Sequence, residues 1–232
     1  CVAACPSDAI THSEYPVEAC PSLDADALPT LDQLVAAFRE RRSARVFHEK
    51  TVPRQVVRQL VDISRWVPSA SNEQPVDWLA FDDLAQIAAL SAQAVAVLAG
   101  TDPALKVDTA GSQEDLQYLA ERLASGRDPI FLGAPTVLVG HVPAEDDFGR
   151  DDAVYAVYNL MLAAQRLGLG TCQIGYFQMA LERSQQLRQA LGLTDDRRAE
   201  VTVILGYPVH DFQRVLPRRR PELAWSSGVG EK

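Results

Sequence analysis

Three arginines and a serine stand within five consecutive positions, a pattern that suits a phosphate group. The residues are Arg41, Arg42, Ser43 and Arg45. Guanidiniums offer planar, paired N–H donors that match phosphate oxygens, and the hydroxyl adds another donor. A solvated helix end is the alternative, because arginine also complements the helix dipole there. A second basic cluster, with Arg214 and Arg218, could close over the same phosphate or could be a solvated tail.

A second segment, residues 68–75, holds small and amide-bearing side chains between two prolines. Its candidate ligand-binding residues are Pro68, Ser69, Ala70, Ser71, Asn72 and Gln74. Amide groups carry donors and acceptors together, so they can read a heterocycle edge on which the two alternate. A plain polar connection between two elements is the alternative interpretation.

A third segment, residues 168–177, is rich in glycine and includes Gly175 followed by Tyr176. Glycine lets the backbone come close to a flat ligand. A backbone N–H here could then donate to a ring nitrogen. The alternative is a helix stop followed by a strand.

The cysteines suggest a second kind of chemistry at the N-terminus. Cys1 and Cys5 form C-x3-C-P, the second half of the bacterial iron–sulfur run C-x2-C-x2-C-x3-C-P. We therefore expect Cys1 and Cys5 to be former or partial ligands of a 4Fe-4S cluster, and the chain to be a fragment of a longer protein. Alternatively they are ordinary small residues in a frayed tail. Cys172 is predicted to be a buried small hydrophobe.

Composition narrows the class of protein. The 232 residues are 47% hydrophobic, which is enough for a substantial core, and the net charge of -9 argues against nonspecific nucleic-acid binding. The most apolar stretch, 87–100, is shorter than the roughly 20 residues of a membrane span. No secretory signal opens the chain. We expect a cytoplasmic protein with neither nucleic acid nor membrane as a partner.

Several helices are predicted first along the chain, followed by strands that are separated by helices. A capping box of Thr30 and Gln33 begins the first helix, Pro53 begins the second and Ser112 caps a later one. Further helices are predicted at 84–98, 151–167 and 181–191, and strands at 76–81, 135–142, 171–174 and 201–205. The 151–167 helix is predicted to be buried on most sides, Val154 and Leu167 included. This order predicts an α+β fold with a mixed sheet covered by helices. No G-x-G-x-x-G follows a strand, so the Rossmann signature is missing.

Taken together, the segments resemble the FMN-dependent nitroreductase family from about Leu31 to Trp225. The marks are Arg-Arg-Ser-x-Arg, Pro-Ser-x-x-Asn-x-Gln-Pro, Gly133-Ala-Pro135, Leu-Gly-Leu-Gly-Thr at a helix end, and Gly-Tyr-Pro near the C-terminus. The piece before residue 30 resembles the ferredoxin half of nitroreductases with a fused iron–sulfur domain.

The resemblance implies a three-layer αβα fold in an intertwined homodimer, with FMN at the interface. It divides the chain into a partial 4Fe-4S segment, 1–29, and an FMN-binding domain, 30–232. It places the FMN phosphate at 41–45 with Arg218 and Arg214 assisting, and it brings residues 68–72 from the other subunit. It also places Gln74 at the ring edge and Gly175 with the Tyr176 N–H near N5.

The same resemblance implies the reaction. Electrons would pass from NAD(P)H or an iron–sulfur donor through FMN to a small nitroaromatic or quinone-like acceptor, without a catalytic side chain. The segment 98–127 would set the substrate. Two alternatives stay open: a non-catalytic flavin-binding protein, and an electron-transfer module centred on the ferredoxin segment.

Overall fold

The computed structural model describes residues 2–7, 9–13, 15–100 and 113–225. The chain divides into two units, Cys1–Phe38 and Arg39–Lys232. The first unit contains three short 3-10 turns and most of helix α1 (Leu31–Glu40). α1 begins at the predicted capping box: the Thr30 N–H donates to Gln33 Oε1 at 2.9 Å, and the Gln33 N–H donates to Thr30 Oγ1 at 3.3 Å.

Four strands of the second unit form one sheet. They are β1 (Asp77–Phe81), β2 (Thr136–Pro143), β3 (Gly170–Gln173) and β4 (Arg197–Gly206), in the spatial order β1-β2-β4-β3. The α+β class is confirmed. The mixed character predicted for the sheet is not found among these strands, which all pair antiparallel; the parallel pairing is an isolated bridge between Ser43 and Thr171. The path of the intervening helices sets strand direction, and residue patterns do not specify that path.

Helices cover both faces of this sheet. They are α2 (Arg54–Ser64), α3 (Leu84–Leu98), α4 (Gln113–Ala124), α5 (Gly149–Arg166), α6 (Gly175–Arg183) and α7 (Gln185–Ala190). Val137 and Val139 of β2 face a core shared with α3, α4, α6 and α7. Leu138, between them, faces the opposite core with α2 and α5. Alternate residues of a strand point to opposite faces, so the predicted three-layer arrangement is confirmed.

Two helix predictions need correction. The helix predicted at 181–191 is in fact two helices, because Ser184 adopts extended backbone angles and its hydroxyl accepts the Leu187 N–H at 3.1 Å, which begins α7. Helix α5 is also less enclosed than predicted, since Val154 is 42% and Leu167 is 37% exposed. The predicted cap at Ser112 lies outside the described residues. No helix in the described part of the chain is long and apolar enough to cross a membrane.

Candidate active site

The arginine-rich segment 41–45 runs beside β3. Ser43 forms the parallel bridge with Thr171, and the Ala44 N–H donates to the Thr171 carbonyl at 2.9 Å. The approach is close: a Cβ on Gly170 would lie 2.5 Å from the Ala44 Cβ. Glycine is therefore required at position 170, and its absence of a side chain lets the arginines lie next to β3.

A cavity of about 320 Å³ opens beside this segment. Arg41, Arg42 and Ser43 are half-buried, and Arg45 is exposed. The cavity is lined by Arg41 and Arg42 together with Glu40, Ala44, Met161, Gln165, residues 168–171, Pro208 and residues 210–212. Its volume lies at the lower end of the range of small-molecule sites.

The lining of this cavity carries charges of both signs, with Arg41 and Arg42 beside Glu40 and Asp211. Within the described chain, none of the three guanidiniums of segment 41–45 forms an ion pair with a carboxylate. Glu40 pairs instead with Arg166. The C-terminal segment passes close by, since Arg42 Nη2 donates to the Arg214 carbonyl at 3.5 Å. Arg218 is exposed and does not line the cavity.

Helix α6 presents an open N-terminus just beyond β3. Its first residue, Gly175, is exposed, and a Cβ added there would meet nothing within 4 Å. The N–H groups of the first turn have no intrahelical partner and can donate outward. The next side chain, Tyr176, is half-buried. Burial raises the pKa of Tyr176, and the hydrogen-bonded carboxylate of Asp115 on α4 raises it further.

The 68–75 loop has an unusual backbone. Three of its non-glycine residues have positive φ: Ser71 at 51°, Asn72 at 58° and Gln74 at 52°. Such angles are uncommon outside glycine, and they persist where surrounding structure enforces them, often at functional sites. Bonds within the loop contribute, because Ser69 Oγ accepts the Gln74 N–H at 3.0 Å and the Ser69 carbonyl accepts the Asn72 N–H at 3.1 Å.

This loop borders a different cavity, of about 390 Å³. The lining comes from α2, the loop, β1 and α5 and includes Arg65, Ser69, Gln74, Trp78, Asp152 and Ala156. Trp78 Nε1 donates to Ser64 Oγ at 3.1 Å on the α2 side. Asp152 is only 4% exposed, and burial raises its pKa.

Arg197 anchors the end of the loop to the sheet. Its guanidinium donates to Asp77 Oδ2 at 2.5 Å, to His141 Nδ1 at 2.9 Å and to the Pro75 carbonyl at 3.5 Å. Burial lowers the pKa of His141, and the nearby Arg197 charge lowers it further, against a smaller opposing effect of Asp77. This cluster was not found from the sequence, because its members are far apart in the chain.

The residues predicted to form one site thus fall into two groups within a single chain. Segment 41–45 and Gly175 lie at opposite ends of the short β3, with Arg214 beside the arginines. Residues 68–74 lie at the other cavity. Both cavities touch α5, one at Met161 and Gln165 and the other at Asp152 and Ala156. At a helical rise of ~1.5 Å per residue, Asp152 and Gln165 are roughly 20 Å apart along the axis.

Sequence patterns predicted no role for Asp152 beyond starting a helix. A signal was present, because Asp152 shares the face of α5 that carries the buried Ala156 and Leu160. Aspartate is almost never fully buried unless it is paired. A carboxylate in phase with a buried helix face is therefore an indication of a specific partner.

The predicted metal ligands receive no support. Cys1 lies outside the described residues. Cys5 Sγ accepts the Ala9 N–H at 3.2 Å and contacts Ser7 Oγ at 3.6 Å, and these hydrogen bonds lower its pKa to about 7. The described residues contain no group of three His, Cys, Asp or Glu side chains that could hold a metal ion. Cys172 is 3% exposed, as predicted.

Comparison with known proteins identifies one family. The family model described as "Nitroreductase family" matches residues 38–207. The chain is 24% identical over 194 residues to an Archaeoglobus fulgidus protein that carries the provisional name NADH dehydrogenase/NAD(P)H nitroreductase, covering 83% of this chain and 96% of the relative. It is 26% identical over 208 residues to a chloronitrobenzene nitroreductase of Comamonas testosteroni, covering 77% and 87%.

Solved structures share the fold. A nitroreductase from Bacteroides fragilis with bound FMN aligns with a TM-score of 0.62 at 19% identity, covering 86% of this chain and 99% of that structure. An iodotyrosine deiodinase bound to FMN and 3-iodo-L-tyrosine aligns with a TM-score of 0.63 at 19% identity, covering 84% and 99%. At this identity the structures establish a common architecture.

Proposed function

The chain belongs to the nitroreductase family, and we propose that it is an FMN-dependent oxidoreductase that works as a homodimer with FMN at the interface. The observation that carries this proposal is the juxtaposition of segment 41–45 with the open N-terminus of α6. Three guanidiniums that have no carboxylate partner among the described residues stand at one end of β3, and a glycine facing empty space stands at the other.

The phosphate end of FMN suits segment 41–45. A buried dianion needs several charge-assisted donors, and Arg41, Arg42 and Ser43 are half-buried beside a cavity. Arg45 and the C-terminal Arg214 add positive charge close by, and Arg218 is proposed as a further contact. Glu40 pairs with Arg166, and Asp211 is the other carboxylate among the lining residues of the cavity.

The ring end of FMN suits the α6 N-terminus. Gly175 leaves room for a flat ring, and the Tyr176 N–H belongs to a first turn whose donors are free of intrahelical bonds. FMN, when bound, supplies the hydride and electron transfer chemistry. The chain's own part is to bind and orient, and positive charge from the arginines and helix N-terminus would favour an electron-rich ring.

The second copy supplies the 68–75 loop in this proposal. Within one chain the loop and segment 41–45 lie by different halves of α5. The outer face of α5 is apolar and open, with Val154, Tyr155 and Tyr158 all more than 40% exposed. Packing this face against a second copy would bury it and carry Pro68, Ser69, Ala70, Ser71, Asn72 and Gln74 of each subunit towards the FMN of the other.

The electron donor and acceptor are proposed from the relatives. The name of the Archaeoglobus relative contains NAD(P)H, and that of the Comamonas relative contains chloronitrobenzene. We therefore propose NAD(P)H as donor and a small nitroaromatic compound as acceptor, and the family resemblance of the sequence adds a quinone-like compound as the alternative acceptor. The segment 98–127 is proposed to select the acceptor; residues 101–112 of it lie outside the described structure.

An iron–sulfur donor is a second proposal, and its support is the C-x3-C-P spacing of Cys1 and Cys5 alone. The division at residue 29 into a ferredoxin-like segment and an FMN-binding domain likewise stays a prediction, as does the cytoplasmic location. Iron and acid-labile sulfide analysis of anaerobically purified protein tests this proposal. Iron below one atom per chain would count against a cluster in the protein so purified.

Titration of the apoprotein with FMN, followed by turnover, tests the main proposal. We expect saturable FMN binding and FMN-dependent oxidation of NADPH or NADH when a nitroaromatic acceptor is added. Arg42→Ala should weaken FMN binding, whereas Arg58→Ala, at an exposed arginine of α2, serves as a matched control that should not. Folded protein that shows no binding of FMN in the titration would refute the proposal. FMN binding without turnover with any nicotinamide and acceptor would favour a flavin-binding protein without catalysis.

A further inference from the structure

Two polar side chains of α5 hold the chain segment that leads into the 68–75 loop. Asn159 Nδ2 donates to the Trp66 carbonyl at 3.0 Å. The Ala70 N–H faces the Asp152 carboxylate closely enough to lower its pKa, and Asp152 lines the 390 Å³ cavity together with Ser69. The two side chains are seven residues apart, which is about two helical turns, so they project from the same face of α5. One rigid helix therefore fixes the backbone at both ends of segment 66–70.

An aspartate at position 152 is unfavourable for the free energy of folding. It is 4% exposed, its Oδ2 is buried without a partner in the described chain, and it lines the 390 Å³ cavity next to Ser69 and Gln74. No cation of the described residues pairs with it. A buried carboxylate without an ionic partner is unfavourable for folding. Stability of the fold alone therefore does not account for an aspartate here.

Asp152 does not act as the cap of its own helix either. The residue that caps α5 is Phe148, whose side chain makes no capping bond, and Asp152 is the fourth residue of the helix. The partner of Asp152 is the backbone of Ala70, the first residue of the 3-10 turn Ala70–Asn72. That turn contains Ser71 and Asn72 with positive φ. Strained backbone of this kind persists only where neighbouring groups hold it.

We propose that Asp152 and Asn159 are positioning residues that hold the 68–75 loop in its strained conformation, so that Ser71 and Asn72 are presented to FMN. This inference rests on the proposed function, since FMN is the ligand that the loop would meet. Asp152 fixes the turn itself, and Asn159 fixes the chain as it leaves α2. Neither side chain is proposed to touch FMN.

Amide hydrogen exchange on the apoprotein tests, without FMN, whether Asp152 and Asn159 hold the 68–75 loop. In Asp152→Ala the Ala70 N–H loses the carboxylate that faces it, so we expect exchange at residues 70–74 to become about tenfold or more faster than in wild type. Asp152→Asn keeps an acceptor oxygen and should preserve most of the protection. Asp151→Asn, at the exposed neighbouring carboxylate, is the matched control and should exchange like wild type. Unchanged protection of Ala70 in folded Asp152→Ala would overturn the inference.

FMN titration of the same variants gives the functional readout. We expect affinity to fall about tenfold or more in Asp152→Ala, to recover to within about threefold of wild type in Asp152→Asn, and to fall in Asn159→Ala. The double variant Asp152→Ala/Asn159→Ala should lose less than the product of the single effects, because both side chains hold one segment. If Asp152→Ala does not fold, Asn159→Ala serves as the test, because Asn159 is half-exposed and its loss should be tolerated. Wild-type FMN affinity in Asn159→Ala would overturn the proposal. A wild-type protein that fails to bind FMN would refute the proposed function. The exchange data would still show whether Asp152 and Asn159 hold the loop.

Discussion

Gly175→Ala should stabilise the apoprotein and weaken FMN binding, two effects of opposite sign from one methyl group. A Cβ at Gly175 meets no protein atom within 4 Å, and Gly175 is not among the glycines with positive φ. Alanine therefore fits the folded backbone while restricting the unfolded chain. Such substitutions stabilise by ~0.4–1 kcal/mol. For a protein of this size the midpoint of thermal unfolding should rise by about 1–4 °C.

The second effect of Gly175→Ala is weaker binding of FMN. The new methyl group would occupy the space into which the proposed ring fits, and overpacking of this kind costs ~1–3 kcal/mol. We therefore expect the Kd for FMN to rise by about 5- to 150-fold. Thermal melts of the FMN-free protein and fluorescence titration with FMN measure the two effects separately.

Gly149→Ala is the matched control, because Gly149 is also the first residue of a helix. A Cβ there would lie 2.6 Å from Val142 Cγ2, so this variant should lower the melting temperature of the apoprotein. Wild-type FMN affinity in Gly175→Ala would show that the ring does not approach this glycine. A lower melting temperature for Gly175→Ala would show that the space above it is not open.

Three further outcomes are expected. Arg42→Ala should weaken FMN binding by ~1.5–3 kcal/mol through loss of a charge-assisted contact, and an unchanged Kd by titration would contradict the phosphate assignment. Gly170→Ala should lower both the melting temperature and the FMN affinity, because the new Cβ would displace Ala44 and with it the arginine segment; a variant that melts and binds FMN like wild type would refute this. Burial and the Arg197 charge lower the pKa of His141 in the folded protein. As the pH falls, His141 therefore becomes protonated in the unfolded chain before it does so in the folded protein, and the free energy of unfolding should decrease below about pH 6.5. Urea unfolding at about pH 7.5 and about pH 5.5 should show this loss in wild type and less of it in His141→Gln, whereas equal losses would rule out His141 as its source.

Local sequence patterns were sufficient for most of the helices. The capping box at Thr30 and Gln33 marked the start of α1, and the 84–98 prediction coincides with α3. These features depend on residues close together in the chain. The break between α6 and α7 was missed because it depends on the backbone of Ser184, whose hydroxyl starts a new helix within a continuous apolar pattern.

The site was less accessible to such reasoning. Each candidate motif had an ordinary alternative, and only the family resemblance joined them into one site. The contact of Ala44 with Thr171 and the approach of Ala70 to Asp152 link residues more than 80 positions apart, and no short pattern encodes them. The positive φ of Ser71 and Asn72 is likewise imposed by surroundings that the sequence does not reveal.

Subunit complementation tests most directly whether segment 41–45 of one copy and the 68–75 loop of another hold one FMN. Arg42→Ala and Asn72→Ala chains carrying different tags are co-expressed, the heterodimer is isolated, and FMN binding is measured at a concentration that neither variant homodimer binds. A shared site leaves one intact combination, Arg42 from one chain with Asn72 from the other, so we expect one FMN per heterodimer with wild-type affinity. A heterodimer that binds no FMN, although wild-type protein binds it, would contradict a site built across two subunits.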